Sequence, residues 1–120
     1  MKPLILVVHI VLPMALEDAQ RTLGLVRFHA AQWHIDPHKI GILGFSAGGH
    51  VVAAMSTHFD QRSYSVVDAA DEGSCRPDFA VALYPGHLWI DDEKFELNPD
   101  IATHITPQTP PTFLLQAEDD

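Results

Sequence analysis

The sequence predicts an α/β fold with a mostly parallel sheet flanked by helices. A stretch of helical period is followed by a tight turn and a short apolar run, which is the αβ step of a parallel sheet. A glycine-rich turn then joins that apolar run to a helix of small residues. With 120 residues the chain is long enough for one core and too short for two, so we expect a single domain over residues 1–120.

The composition excludes several classes of function. Hydrophobic residues make up 47% of the chain and charged residues 19%, which is typical of a globular protein. A formal net charge of −9, with few and scattered Lys and Arg, argues against nucleic acid or an anionic membrane as partner. No apolar stretch is long enough to cross a bilayer. The single Cys75 forms no internal disulfide, so the compartment stays open between the cytoplasm, which we favour, and secretion.

The amino-terminal segment combines a basic start, Met1-Lys2-Pro3, with an apolar run over residues 4–12. Such a pattern is compatible with a signal peptide and equally with a buried β-strand. Pro3, the His9 inside the run and the lack of a clear small-x-small cleavage site favour the strand.

An amphipathic helix is predicted from about Met14 to His34. Its apolar residues recur at alternating three- and four-residue intervals, and charged residues take the other side. The apolar face consists of Leu16, Ala19, Leu23, Val26, Ala30 and Trp33. Because proline lacks an N–H donor, we expect Asp36-Pro37 to stop the helix and lead into a buried strand over residues 39–45.

The residues Gly44-Phe45-Ser46-Ala47-Gly48 spell G-x-S-x-G between that strand and a helix over residues 48–57. Strand, sharp turn and helix are the context of a nucleophile elbow, in which the serine is strained and its neighbours two residues away are glycine. The Ser46 hydroxyl would project from the turn, and the Ala47 N–H would point to a developing oxyanion. The alternative is a serine in an ordinary glycine-rich turn. A dinucleotide-binding loop is disfavoured, because this sequence lacks the glycine spacing that such a loop requires.

The second half of the chain contains two long connections and two further strands. Residues 58–77 are polar and acidic and indicate a surface segment with a turn of helix at most. A buried strand is predicted over residues 79–84 and another over residues 112–117. The connection over residues 87–111 is of the kind that lines a site at the carboxyl ends of strands, and His87 or His104 would border that site.

These features together resemble a known family, the α/β-hydrolase esterases and lipases, and in particular its bacterial branch of acetyl esterases and acetyl-xylan esterases, near the hormone-sensitive lipases. The resemblance covers nearly everything after Pro13, and its specific part is the elbow with a second glycine. The matching segments are Glu17-Asp18-Ala19-Gln20-Arg21, Ile35-Asp36-Pro37-His38-Lys39-Ile40, Gly44-Phe45-Ser46-Ala47-Gly48-Gly49-His50 and Pro110-Pro111-Thr112-Phe113-Leu114-Leu115.

The resemblance implies a partial α/β-hydrolase fold and a serine hydrolase that cleaves carboxylic esters with small acyl groups, on a small molecule or a polysaccharide. It implies Ser46 as the nucleophile, Ala47 as an oxyanion donor and Asp120 as the triad acid, with Asp119 as the alternative; no cofactor is implied. For the acidic end, a solvated terminus is the other interpretation. No His, Cys, Asp or Glu grouping has metal-ligand spacing, so we expect no metal.

Two departures from the family pattern bear on activity. The family's catalytic histidine is expected after Asp120, where the sequence stops. Its His-Gly-Gly loop is expected before the Glu17 helix, where residues 1–13 contain no such motif. The chain is therefore expected to be the central portion of a larger hydrolase. A resident histidine as the base is a minor alternative, with His50 expected to be packed near the elbow. Two further hypotheses stay open: a non-catalytic homologue that self-associates through open sheet edges, and a small module that binds an anion at the glycine-rich turn.

Overall fold

The computed structural model describes residues 1–8, 15–86, 88–91 and 96–117. It contains six strands, three α-helices and one 3₁₀ turn in those ranges. In chain order they are β1 (Lys2–Val8), α1 (Ala15–Phe28), β2 (Ile35–Phe45), α2 (Ala47–Thr57), the 3₁₀ turn (Ala69–Glu72), β3 (Phe79–Leu83), β4 (Trp89–Asp91), β5 (Glu96–Leu97), α3 (Pro99–Ala102) and β6 (Thr112–Leu115).

Four of the strands form one parallel sheet in the order β1-β2-β3-β6. Helix α1 lies between β1 and β2 in the chain, and α2 between β2 and β3, so these strands are joined by helical crossovers. The pair β4 and β5 forms a separate antiparallel ribbon. The predicted α/β fold with a mostly parallel sheet flanked by helices is confirmed. Within the described ranges no helix is long and apolar enough to span a membrane.

The core lies between one face of the sheet and the two long helices. Ile40 and Ile42 of β2 alternate with residues of the other face, as the two-residue period of a strand requires. Each large aliphatic side chain buried there contributes about 1.5–3 kcal/mol relative to an exposed position. The buried cluster consists of Ala15, Ala19, Leu23, Ile40, Ile42, Val51, Val52, Met55, Ala80 and Ala82.

The opposite face of the sheet carries apolar side chains that stay partly exposed. In β1, Ile5 is 49% and Val7 47% exposed, while Phe113 and Leu115 of β6 are 60% and 52% exposed. The strand register places all four on the face that does not contain Ile40 and Ile42. Parallel sheets usually bury both faces, so this surface is unusual for the described part of the chain.

The predicted extent of the first helix is wrong at its carboxyl end. Helix α1 ends at Phe28, and the chain continues in hydrogen-bonded turns to His34, which has a φ of 56°. The Ile35 N–H donates to the Ala30 carbonyl and the His34 N–H to the Ala31 carbonyl, the pairing of a Schellman motif. Trp33 therefore lies outside the regular helix.

Trp33 is 49% exposed, although the helical period placed it on the buried face. Its ring stacks on His29, with ring centroids 5.0 Å apart. The period of an α-helix does not hold through a Schellman turn, so the extrapolated face rotates away from the core.

Asp36-Pro37 was expected to precede the buried strand and instead lies within β2. Lys2 pairs with Ile35 and Leu4 with Ile40, so residues 36–39 of β2 stand opposite Pro3 alone. Such a bulge leaves several backbone groups outside the regular ladder, which is where a strand tolerates proline.

The first connection is held to α1 by a buried carboxylate. The Asp71 carboxylate accepts hydrogen bonds from the Tyr64 hydroxyl at 2.6 Å and the Val67 N–H at 2.9 Å, and its Oδ1 lies 3.1 Å from Nη1 of Arg21. Burial alone would raise the pKa of Asp71, but these hydrogen bonds together with Arg21 lower it to about 2. Burial and the hydrogen bond to Asp71 raise the pKa of Tyr64.

We expect the stability of the chain to fall between about pH 4 and pH 2. The pKa of Asp71 is lower in the folded chain than in the unfolded chain, so its stabilisation is complete above about pH 4 and is lost as the pH falls toward 2. Urea unfolding of wild type and Asp71→Asn should give a lower midpoint for the variant at pH 7 and a difference that shrinks below pH 4. Asp60→Asn, on an exposed residue, is the control; a difference that is constant with pH would contradict this role of Asp71.

His34→Gly is expected to stabilise the chain. A non-glycine residue at positive φ costs about 1 kcal/mol, and glycine at the same position of a Schellman motif avoids that cost. The matched control is Ala31→Gly, three residues earlier in the same turn, which should destabilise by about 0.5–1 kcal/mol. Urea unfolding midpoints of both variants measure the difference, and a midpoint of His34→Gly below wild type would refute the motif.

Candidate active site

Ser46 forms the junction between β2 and α2 in a strained backbone conformation. Its φ is 51° and its ψ −118°, outside the regions that residues with a side chain ordinarily occupy. The Ser46 N–H donates to the Leu83 carbonyl at 3.0 Å, and the Ser46 carbonyl accepts from the N–H groups of His50 at 3.1 Å and Gly86 at 2.8 Å. Three backbone hydrogen bonds from two elements therefore hold the residue in place, and its side chain is exposed.

The glycines around Ser46 are required by close backbone packing. A Cβ at Gly44 would overlap the carbonyl group of Gly48, across the turn. A Cβ at Gly49 would lie 2.8 Å from Cα of Pro85, which is closer than real Cβ contacts. The expected steric need for glycine is borne out at Gly44, and Gly49, the residue after the G-x-S-x-G pattern, is required by Pro85 in the loop after β3.

The Ala47 N–H opens helix α2. The N–H groups of a first helical turn have no acceptor within the helix, and they lie at the positive end of its dipole. The role of the Ala47 N–H as an oxyanion donor stays a prediction.

The carboxyl ends of three parallel strands meet beside Ser46. The Tyr84 N–H, just after β3, donates to the Leu115 carbonyl of β6 at 2.6 Å. Tyr84 also has a positive φ of 35°, and its ring lies 6.0 Å from that of Phe45. The predicted strand over residues 79–84 is therefore one residue too long: β3 ends at Leu83, and Tyr84 belongs to the turn that Pro85-Gly86 continues. Ligands of α/β sheets bind at this edge.

The structure brings together Ser46 and Ala47, two of the site residues predicted from sequence. Asp120, its alternative Asp119 and the pocket residue His87 lie outside the described residues, so their placement stays a prediction. His50 lies in the first turn of α2, as its spacing from Ser46 indicated.

A second group of polar side chains was not indicated by the sequence. His58, Asp100 and His104 each offer a ligand atom, and these atoms lie within 4.8 Å of one another. His58 follows α2, whereas the other two belong to α3 and the residue pair after it. Asp100 and His104 are four residues apart, but His58 is 42 residues from Asp100 in the chain, so sequence spacing could not indicate the group. This is the arrangement in the described residues that best fits a metal ion.

Comparisons with known proteins give a family for this chain. The family model BD-FAE matches residues 6–86, a range that contains the elbow. The acetylxylan esterase of Xylanibacter ruminicola is 29% identical over 86% of this chain and 23% of its own length. The endo-1,4-beta-xylanase B of Butyrivibrio fibrisolvens is 33% identical over 88% of this chain and 19% of its own length. The chain thus spans about a fifth of the length of these two relatives.

A solved structure supports the same assignment. The acetyl ester-xyloside bifunctional hydrolase from Caldicellulosiruptor lactoaceticus superposes with a TM-score of 0.77 and 27% sequence identity, over 95% of this chain and 60% of that one. The resemblance to α/β-hydrolase esterases drawn from the sequence is confirmed. The chain belongs to the BD-FAE family, a family of α/β-hydrolases with esterase members.

Proposed function

We propose that this chain carries the nucleophile of a serine carboxylic-ester hydrolase that removes small acyl groups such as acetyl from carbohydrate esters. The observation that carries the proposal is the backbone of Ser46, with φ 51° and ψ −118° at the start of α2. A strained serine that is fixed by three backbone hydrogen bonds and remains exposed is explained by a requirement to present its hydroxyl.

In the proposed reaction the Ser46 Oγ attacks the ester carbonyl while a histidine accepts its proton. The carbonyl oxygen becomes an oxyanion, which the Ala47 N–H stabilises in the tetrahedral intermediate. The histidine then protonates the leaving alcohol, and an acyl-serine remains. A water molecule, deprotonated by the same histidine, attacks the acyl-serine; the bond between the acyl carbon and Oγ breaks, the carboxylic acid leaves, and the histidine returns the proton to Ser46 Oγ.

Asp120 is proposed as the acid that orients this histidine. Strand β6 lies two positions from β2 in the parallel sheet, and Asp120 follows β6 in the sequence. Two strand spacings amount to about 10 Å, a gap that an imidazole between a serine and a carboxylate can fill. The chain order Ser, acid, His of α/β-hydrolases puts the histidine after the acid. His87 is proposed to border the acyl pocket.

The substrate class is inferred from the relatives. One relative is an acetylxylan esterase and one solved neighbour an acetyl ester-xyloside bifunctional hydrolase, and both match this chain over most of its length. We propose an acetylated polysaccharide or its fragments as the substrate.

We expect a fluorophosphonate probe to label Ser46 in the protein that contains this chain together with the histidine proposed to follow Asp120, because phosphonylation requires a presented and activated serine. Mass spectrometry of the labelled peptide gives the site. Ser46→Ala should abolish labelling and lower kcat/KM for p-nitrophenyl acetate by about 10⁴-fold or more. Ser65→Ala, on an exposed residue, is the control and should label like wild type.

A folded protein that contains this chain and that histidine, and is still not labelled at Ser46, would overturn the catalytic proposal. The non-catalytic alternative, a homologue that self-associates through its open sheet edges, would then gain support. The outer strands β1 and β6 offer unpaired edges in the described sheet, next to the exposed Ile5, Val7, Phe113 and Leu115.

Gly44→Ala should cost both stability and labelling. The added methyl group overlaps the Gly48 backbone, which cannot move without displacing the start of α2, so we expect a loss of about 1–3 kcal/mol in the free energy of unfolding. Urea unfolding and the rate of probe labelling measure the two effects. The matched control is Gly73→Ala, where the nearest atom to the new Cβ is 3.9 Å away. Equal stabilities of the two variants would contradict the steric argument.

A further inference from the structure

A cluster of two histidines and an aspartate lies at the end of α2 remote from Ser46. One possible ligand atom each of His58, Asp100 and His104 lies within 4.8 Å of the others. The His58 and His104 rings stack, with centroids 4.3 Å apart. From Ser46 to His58 the helix rises by about 18 Å, so the cluster is separate from the elbow.

Hydrogen bonds fix the tautomer of both histidines. Nδ1 of His58 lies 3.1 Å from the Ala54 carbonyl oxygen, and Nδ1 of His104 lies 2.8 Å from the Asp100 carbonyl oxygen. The hydroxyls of Thr57 and Thr103 lie 3.0 and 3.2 Å from the same two Nδ1 atoms, but they donate their protons to the carbonyls of Ala53 and Pro99. Each Nδ1 is therefore surrounded by acceptors and carries the proton. In the neutral imidazoles Nε2 is then the atom with a free lone pair. Metal-binding histidines are held in this way, by a donated N–H to a backbone carbonyl.

The contact between His58 and Asp100 brings a lone pair next to a carboxylate. Nε2 of His58 lies 3.3 Å from Oδ1 of Asp100. Because Nδ1–H is already used, this contact is favourable only if His58 is doubly protonated or if a cation lies between the two atoms. Ligand atoms about 2.0–2.1 Å from a tetrahedral zinc ion are about 3.3 Å apart, which matches the separation of this pair.

We propose that His58, Asp100 and His104 bind a divalent transition metal ion, zinc foremost, with water as the fourth ligand. Two imidazoles and one carboxylate suit zinc better than calcium or magnesium, which prefer oxygen ligands. The metal ion joins the end of α2 to α3. The chain continues from α3 to β6, the strand after which the triad acid is expected. The ion therefore stabilises the connection that precedes β6.

The side chains differ in exposure in a way that suits a surface site. The His58 side chain is 12% exposed, whereas that of Asp100 is 73% exposed. The nearly buried His58 provides a rigid anchor, and the exposed Asp100 leaves a path for the ion to enter. The inference does not depend on the proposed esterase reaction, since none of the three residues takes part in it.

The test uses the purified 120-residue chain, stripped with EDTA and titrated with Zn²⁺ against a chromophoric chelator, and separately with Co²⁺. We expect one zinc ion per chain, a rise in melting temperature with zinc, and Co²⁺ absorption bands of a four-coordinate site. Asp100→Asn and His104→Ala should each weaken zinc binding by about 10–100-fold or more. Asp100 is exposed and His104 is half-buried, so both substitutions should be tolerated. Circular dichroism spectra of the variants check that they fold.

Matched controls are His38→Ala and Asp60→Asn, which replace the same residue types at exposed positions elsewhere and should bind zinc like wild type. Absence of stoichiometric binding, or equal binding by the site variants and the controls, would overturn the metal site and leave an ion pair. Fluorophosphonate labelling at Ser46, measured with EDTA and with zinc, reports separately on the proposed esterase, so the failure of either idea is recognised without the other.

Discussion

The backbone of Ser46 is the constraint on which the rest of the site depends. Its unfavourable φ and ψ are maintained because Leu83 and Gly86 bind its N–H and carbonyl from the end of β3, while His50 binds the carbonyl from within α2. These hydrogen bonds require β3 to lie beside β2 in parallel register and α2 to begin at Ala47, directly after Ser46. The order of the strands, the start of α2 and the position of Ser46 therefore depend on one another, and the close approach of β2 to the start of α2 requires glycine at position 44.

Helix α2 connects the features of functional interest. Its first turn presents N–H groups beside Ser46, its middle contributes Val51, Val52 and Met55 to the core, and His58 follows its last turn. The packing of the middle fixes both ends relative to the sheet. A rigid helix with a buried face thus positions the proposed nucleophile at one end and the proposed metal ligand at the other, about 18 Å apart.

Burial in the described chain is uneven. The face that contains Ile40 and Ile42 is covered by α1 and α2, and its residues in β2 and β3 are buried. Leu114 of β6 lies on the same face and is 57% exposed. The other face retains half-exposed Ile, Val, Phe and Leu side chains. Stability therefore rests on one layer of helix-to-sheet packing, together with polar contacts such as the Asp71 carboxylate, which connects the acidic segment after α2 to Arg21 of α1. Because this apolar layer is small, each such polar contact provides a larger share of the free energy of unfolding.

The sequence by itself determined the elbow, because strand, glycine-rich turn and helix are local patterns and the steric need for glycine acts over a few residues. It also predicted the parallel α/β architecture and strands that overlap β1, β2, β3 and β6, whereas β4 and β5 lie in the segment predicted as a connection. Only the tertiary structure decided what depends on distant partners. The Schellman turn at His34 leaves Trp33 outside the helix, and the bulge opposite Pro3 accommodates Asp36-Pro37 within β2. The Gly86 N–H donates a hydrogen bond to the Ser46 carbonyl from another part of the chain. The fold also brings His58 next to Asp100 and His104.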